Sequence, residues 1–236
     1  IDEAHNVFLR RVDGYGAYDA LVDLVNSTSS KVFWVVVFNH FTWRFLDESR
    51  GRMHFFRKRM HVPAWRSEEI QRLILQRNKR AGFELHFDEL LLSEERSRSG
   101  NLELVEESEG YFRLLWESSS GNPRVATQLW LSSLSLIGER ELAVGLFREP
   151  NTELLSELQD DVLFCLAAIC QHENLSAEEL ARVLNLPEGF ARFSLQYLLE
   201  AGLLVKKDEA GERFTLSATH YRATLRMLRS RHLLFD

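Results

Sequence analysis

Three polar residues near the start of the chain have the types that phosphate chemistry requires. The aliphatic Ile1 runs directly into Asp2 and Glu3, and the apolar run Lys31–Phe38 ends at Asn39. Adjacent carboxylates can hold a hydrated Mg²⁺ and activate an attacking water, and an amide can hydrogen-bond a phosphate oxygen. The pattern indicates a phosphate-binding site, provided that the fold brings the two stretches together.

The elements between these residues predict such a fold. Ala17–Asn26 carries apolar residues at helical spacing, and Lys31–Phe38 is a continuous β-branched and aromatic run. The second pattern predicts a strand covered on both faces in a parallel sheet. Strand, helix and strand form half of a doubly wound sheet, whose ligands lie at the carboxyl ends of the strands. Asp2, Glu3 and Asn39 all follow such ends.

Composition describes an ordinary folded protein. The chain has 236 residues, 45% of them hydrophobic, and a net charge of −6, so no bulk charge draws it to nucleic acid or anionic lipid. Cys165 and Cys170 lie in one apolar segment and read as reduced core thiols. No apolar run reaches the roughly 18 residues of a membrane span, and we expect a cytoplasmic location. A start inside a motif, without an initiator Met, suggests a fragment.

The middle of the chain predicts a helical unit over about residues 65–137. The basic stretch Glu48–Met60 precedes it, and Met60–Pro63 is predicted as a short strand. Phe87–Leu92 and Gly110–Ser118 are predicted as helices. Gly121-Asn122-Pro123-Arg124 is predicted to open another, with Pro in its first turn. Leu142–Phe147 is predicted as a strand or a linker.

Beyond Pro150 the pattern changes to three helices and a hairpin. The helices are predicted at Leu154–Gln171, at Ser176–Leu184, where Ser176 and Glu179 form a capping box, and at Pro187–Ala201. Residues 203–216 are then predicted to form two short strands joined by a turn. Three helices followed by such a hairpin form a winged-helix arrangement. A last helix, Tyr221–Leu233, is basic on one side.

Taken in order, these parts resemble bacterial AAA+ ATPases, either the initiator and origin-recognition branch or the related signal-transduction NTPases. The resemblance implies an α/β fragment of a P-loop nucleotide-binding core (residues 1–64), an all-helical lid (65–150) and a C-terminal winged-helix domain (151–236), mostly α overall. It implies ATP and Mg²⁺ as ligands, and a protein partner or self-association through the AAA+ module.

The same resemblance implies roles for individual residues. Asp2 and Glu3 are similar to the Walker B pair, for Mg²⁺ through water and for the catalytic water respectively. Asn39 is similar to sensor 1 and Arg124 to sensor 2. An arginine finger would be one of three residues in the basic stretch: Arg52, Arg57 or Arg59. No Gly-x4-Gly-Lys-Ser/Thr string occurs in the sequence, so the chain alone is expected to be inactive.

Other interpretations of these residues remain open. Asp2 and Glu3 also suit an acidic helix N-cap, Asn39 a turn, and Arg124 a helix surface. His5 lacks a second His or Cys at ligand spacing, which argues against a zinc site.

A non-enzymatic winged-helix regulator, binding DNA or a protein, is the alternative function. Arg192 is the only basic residue of the third helix, and residues 151–236 hold nine Lys and Arg against thirteen Asp and Glu. Since phosphate neutralisation supplies most non-specific affinity, this balance disfavours strong DNA binding by the winged helix. The basic C-terminal helix is the best remaining candidate surface for nucleic acid or an acidic partner.

Overall fold

A computed structural model gives the fold, and it describes residues 1–49, 56, 58–87, 104–147, 152–207 and 212–234. Most of these residues are helical. After a short 3₁₀ turn at Ala4–Val7, the α-helices are α1 Gly16–Thr28, α2 His40–Ser49, α3 Ser67–Ala81, α4 Leu104–Ser119, α5 Pro123–Ser132, α6 Thr152–Glu157, α7 Asp160–His172, α8 Ala177–Leu184, α9 Glu188–Glu200 and α10 Tyr221–Ser230. None of the helices in the described ranges is long and apolar enough to cross a membrane.

The strands of the described ranges form two small sheets. They are β1 Glu84–Phe87, β2 Leu134–Leu136, β3 Glu141–Val144, β4 Leu175–Ser176, β5 Leu204–Lys206 and β6 Arg213–Leu216. The first sheet has the order β1-β3-β2, with β1 parallel and β2 antiparallel to β3. The second is antiparallel, in the order β4-β6-β5. The chain divides into two compact units, residues 1–60 with 151–236, and residues 61–150.

The run Lys31–Phe38 is extended but does not become a strand covered on both faces, so that prediction is wrong. The Ile1 ammonium donates to the Val35 carbonyl at 2.7 Å, Val37 N–H donates to the Ile1 carbonyl at 2.9 Å, and Ala4 N–H donates to the Val37 carbonyl at 2.8 Å. The two segments therefore run parallel. Only one face packs inward, and Phe33 on the other is 93% exposed.

The rest of the first unit packs around α7. Leu163, Leu166 and Ile169 of this helix are buried among residues of α8, α9, α10 and the second sheet. Cys165 and Cys170 lie in the same core as free thiols, which confirms their predicted environment. The predicted capping box of α8 also forms, because Glu179 N–H donates to Ser176 Oγ at 3.2 Å and Ser176 N–H donates to the Glu179 carboxylate at 2.9 Å.

The second unit is not purely helical, which corrects the predicted helical unit over 65–137. Helices α3, α4 and α5 pack around Ile70, Phe112, Leu115 and Trp130. Strand β1 replaces the start of the helix predicted at Phe87–Leu92, because Glu84–Phe87 pairs with β3 across more than 50 residues; residues 88–92 lie outside the described ranges.

Two further predictions on short strands have different outcomes. The strand or linker predicted at Leu142–Phe147 corresponds to β3, Glu141–Val144. The strand predicted at Met60–Pro63 is wrong, because these residues belong to no strand.

Candidate functional site

The parallel alignment at the start of the chain positions Asp2, Glu3 and Asn39. The Ala4–Val37 hydrogen bond sets the end of the first segment beside the end of the second, two residues before Asn39. Asp2 and Glu3 are exposed, and Asp2 Oδ1 accepts the Glu3 N–H at 2.9 Å. Glu3 has a left-handed backbone, with φ 50°, which ends the extended segment there. The fold therefore brings the three predicted residues to one end of the paired segments.

Asn39 is engaged by the protein at both ends of its amide. Its Oδ1 accepts the Thr42 N–H at 2.7 Å and so caps the start of α2. Its Nδ2 donates at 3.1 Å to the carbonyl of Gln171, in the last turn of α7, and Thr42 Oγ1 donates to the same carbonyl. The side chain thus joins the start of α2 to the end of α7.

Glu3 is also in contact with its surroundings. Asn6 Nδ2 donates to the Glu3 carboxylate at 3.3 Å, and Lys207 Nζ, just after β5, lies 3.8 Å from its other oxygen. Through Lys207, Glu3 contacts the C-terminal part of the first unit.

Sequence reasoning missed a polar cluster around the buried side chains of Gln171 and His172. Arg10 donates from Nη1 to Gln171 Oε1 at 3.0 Å and from its backbone N–H to His172 Nε2 at 3.4 Å. His172 stacks on Phe8, and burial lowers the pKa of His172 to about 4. Because the partners are more than 160 residues apart, no local sequence signal identifies them.

His5, rejected as a metal ligand, belongs to this cluster. It is buried, and its Nε2 lies 3.3 Å from the Glu173 carboxylate without the alignment of a hydrogen bond. Burial lowers the pKa of His5, against the opposing effect of the Glu173 charge. Within the described ranges no group of three or more His, Cys, Asp or Glu side chains could hold a metal ion.

Arg124 lies in the second unit, where the Gly121–Arg124 motif has a clear structural cause. Gly121 has φ +69°, and a Cβ there would lie 2.6 Å from the Trp65 carbonyl oxygen, so only Gly fits. Trp65 N–H donates to the Gly121 carbonyl at 2.9 Å. Asn122 Oδ1 accepts the backbone N–H of Arg124 at 3.0 Å, which caps α5. The motif thus fixes Arg124 in the first turn of α5.

An open groove of about 440 Å³ lies beside this turn. Its lining combines two guanidinium groups with an indole and apolar or uncharged side chains: Trp65, Leu73, Arg77, Pro123, Arg124, Thr127 and Gln128. Trp65 is held in place because Trp116 Nε1 donates to its carbonyl at 2.7 Å. Arg124 in the first turn of α5, with Arg77 of α3 lining the same groove, suits an anion. Arg77 was not predicted, since it lies more than 40 residues before the motif.

The candidates for an arginine finger have different outcomes. Arg59 Nη1 lies 3.3 Å from the Asp47 carboxylate, within the first unit. Arg52 and Arg57 lie outside the described residues.

The third helix of the C-terminal part, α9, presents little free positive charge. Arg192 donates from Nε to the Glu188 carboxylate at 3.0 Å, one turn earlier. Arg213 of β6 lies 2.9 Å from the Glu179 carboxylate and is partly buried. The exposed face of α9 instead carries Phe193, which is 68% exposed. These contacts strengthen the argument against DNA binding through α9 and the β5–β6 hairpin.

Comparisons with protein-family models, with curated proteins and with solved structures find no match for this chain.

Proposed function

We propose that this chain is part of an AAA+ ATPase that couples ATP binding and hydrolysis to movement of a helical lid and a C-terminal winged helix. Asp2 would hold Mg²⁺ through water, Glu3 would activate the attacking water, and Asn39 and Arg124 would sense the γ-phosphate. The assignment rests on the resemblance of these motifs, in this order, to that family.

The observation that carries the proposal is the parallel pairing of the segment Ile1–Ala4 with Val35–Val37. Side chains at the carboxyl ends of adjacent parallel strands face one ligand site in a doubly wound fold. Had the two segments been antiparallel, Asp2 and Glu3 would lie at the opposite end from Asn39.

The residues present fit Mg²⁺-ATP in part. The exposed carboxylates of Asp2 and Glu3 are oxygen ligands of the kind that Mg²⁺ prefers. Bound Mg²⁺ would neutralise phosphate charge. The Asn39 amide fits only if it exchanges its bond to Gln171 for one to phosphate. Because the sequence has no phosphate-cradling loop, the chain by itself is expected to hydrolyse no ATP.

The topology of the C-terminal part supports its assignment as a winged helix. The elements α7, β4, α8, α9, β5 and β6 follow one another, and the sheet order β4-β6-β5 places the last strand in the centre. In such a domain the β5–β6 hairpin is the wing, and its Lys207 is the residue that contacts Glu3.

The test is made in the complete reading frame that encodes this chain. We expect it to contain a Gly-x4-Gly-Lys-Ser/Thr string before Ile1. Replacing Glu3 with Gln in the complete protein should abolish ATP hydrolysis while retaining ATP binding, because the amide binds no proton from water. Glu178→Gln, a change at an exposed residue of α8, is the matched control and should leave hydrolysis intact. Hydrolysis that survives Glu3→Gln would contradict the role of Glu3.

The alternative is a non-enzymatic winged-helix regulator. The engagement of Asn39 by Gln171 and of Glu3 by Lys207 favours it, since both side chains then serve to hold the C-terminal part. A reading frame without a P-loop, whose product binds no ATP, would favour this alternative.

A further inference from the structure

Besides the basic stretch Glu48–Met60, the C-terminal end of the chain forms a second basic segment. From Arg213 to Phe235 the sequence contains five arginines and no acidic residue, although the whole chain has a net charge of −6. Such asymmetry in an acidic protein is a signal for a polyanionic partner.

Helix α10 gathers this charge on one surface. Arg222, Arg226 and Arg229 are all exposed. At 3.6 residues per turn they fall within an arc of about 60° and span about 10 Å along the helix axis. We call these three residues the arginine stripe.

The opposite face of α10 holds the helix in place. Leu225 and Leu228 are buried in the core of the first unit, and Thr224 is buried beside them. The arginine stripe is therefore presented by a helix that is anchored in the fold. An anchored helix loses little conformational entropy on binding, which favours it as a contact surface.

We propose that the arginine stripe binds the phosphate backbone of duplex nucleic acid without reading its bases. About 10 Å of duplex axis presents about six phosphates, enough to pair with each guanidinium. Arginine makes bidentate hydrogen bonds to phosphate, and all the cations of the stripe are arginines. This surface is distinct from α9 and the β5–β6 hairpin.

Two features of α10 and its surroundings indicate which class of partner binds the arginine stripe and how tightly. The apolar residues of α10 are directed into the core, so the helix has no apolar face to insert into a membrane surface. Helix α6, which packs against α10, carries Glu153 and Glu157, and these carboxylates should limit binding to the micromolar range typical of non-specific contacts.

The experiment measures binding of the whole 236-residue chain to a fluorescent 25-base-pair duplex of random sequence by anisotropy. With three phosphates neutralised, log K should fall with log salt at a slope of about −2.7, so affinity should drop about 40-fold between 50 and 200 mM salt. The triple variant Arg222→Gln, Arg226→Gln, Arg229→Gln should lose at least about tenfold in affinity at 50 mM salt and should flatten the slope. The matched control is Arg182→Gln, Arg192→Gln, Lys206→Gln, which changes the net charge equally and should stay within about threefold of the parent.

Several results would overturn the proposal. One is that the parent chain does not bind the duplex at 50 mM salt, and another is that the two triple variants lose affinity equally. A third result concerns polyglutamate added as a competitor. If polyglutamate displaces the fluorescent duplex as effectively as unlabelled duplex does, the arginine stripe binds an acidic protein instead. If circular dichroism shows that the stripe variant is unfolded, the single variant Arg226→Gln decides, with an expected change in slope of about 0.9; an unchanged slope contradicts the proposal.

Discussion

Asn39 shows how one side chain can serve structure and proposed chemistry at once. Its oxygen caps α2 and its nitrogen holds the Gln171 carbonyl, so both hydrogen-bonding ends are used within the fold. A phosphate oxygen is a hydrogen-bond acceptor, so it can bind only the Nδ2 donor of Asn39. It would therefore compete with the Gln171 carbonyl and not with the Thr42 N–H. In the proposed ATPase, ligand binding at Asn39 would therefore weaken its contact with α7 while leaving the cap of α2 intact.

Gly121 gives the sharpest prediction at the level of the single residue. Gly121→Ala should lower the free energy of unfolding by about 2 kcal/mol or more, because its φ of +69° disfavours a side chain and the new Cβ would approach the Trp65 carbonyl. Gly189→Ala is the matched control. A Cβ at Gly189, in the first turn of α9, meets nothing within 4 Å and should stabilise by up to about 1 kcal/mol. Urea denaturation measures both, and equal effects would contradict the assigned clash.

The elements that could be predicted correctly are those whose sequence signals lie within a few residues of one another. The α8 capping box needs only Ser176 and Glu179, three residues apart, and it forms as predicted. The run Lys31–Phe38 is extended, but its burial depends on neighbours elsewhere in the chain, and its predicted cover on both faces is wrong. The strand Glu84–Phe87 was missed because its pairing with β3 is long-range. The common location of Asp2, Glu3 and Asn39 was predicted, whereas Gln171 and His172 lie beyond any local pattern.

The buried histidines predict how the packing of the first segment on α7 depends on pH. The pKa of His172 is about 4 in the folded chain against 6.5 when exposed, so the unfolded state takes up the proton first. Stability from this group is complete above pH 6.5 and is lost as pH falls towards 4, by about 3 kcal/mol in total. Its charged neighbours act in both directions: Glu179 raises the pKa, while His5 and Arg10 lower it.

Urea unfolding at pH 7.5, 5.5 and 4.5 tests this dependence. His172→Gln should show a smaller loss of stability between pH 7.5 and 4.5 than the parent chain, because the variant has no imidazole to protonate. His232→Gln, at an exposed residue after α10, is the control and should retain the parent's slope. Identical pH profiles for the parent and His172→Gln would contradict the burial of an uncharged imidazole.

At the scale of the whole molecule, each compact unit has a core of its own. Residues 61–150 enclose Ile70, Leu115 and Trp130, and we expect this segment to fold when expressed alone and to melt cooperatively. Within it, Trp130→Ala should cost about 3–5 kcal/mol. Residues 151–236 expressed alone lose the hydrogen bonds that Arg10, Asn39 and Thr42 make to Gln171. In contrast to residues 61–150, this segment is therefore not expected to melt cooperatively by itself. A broad, non-cooperative melt of residues 61–150 would contradict the division.

The extended run beside Ile1 has a consequence for the colloidal behaviour of the protein. Its residues alternate, so the N–H groups of Trp34 and Val36 are directed to the edge opposite Ile1, where the described residues offer them no partner. The exposed face of the same run carries Phe33, Val35 and Val37. An apolar strand with an open edge is a template for another chain. For the 236-residue chain taken by itself, we expect two molecules to associate first through this run at high concentration, and we expect Phe33→Lys to reduce that association.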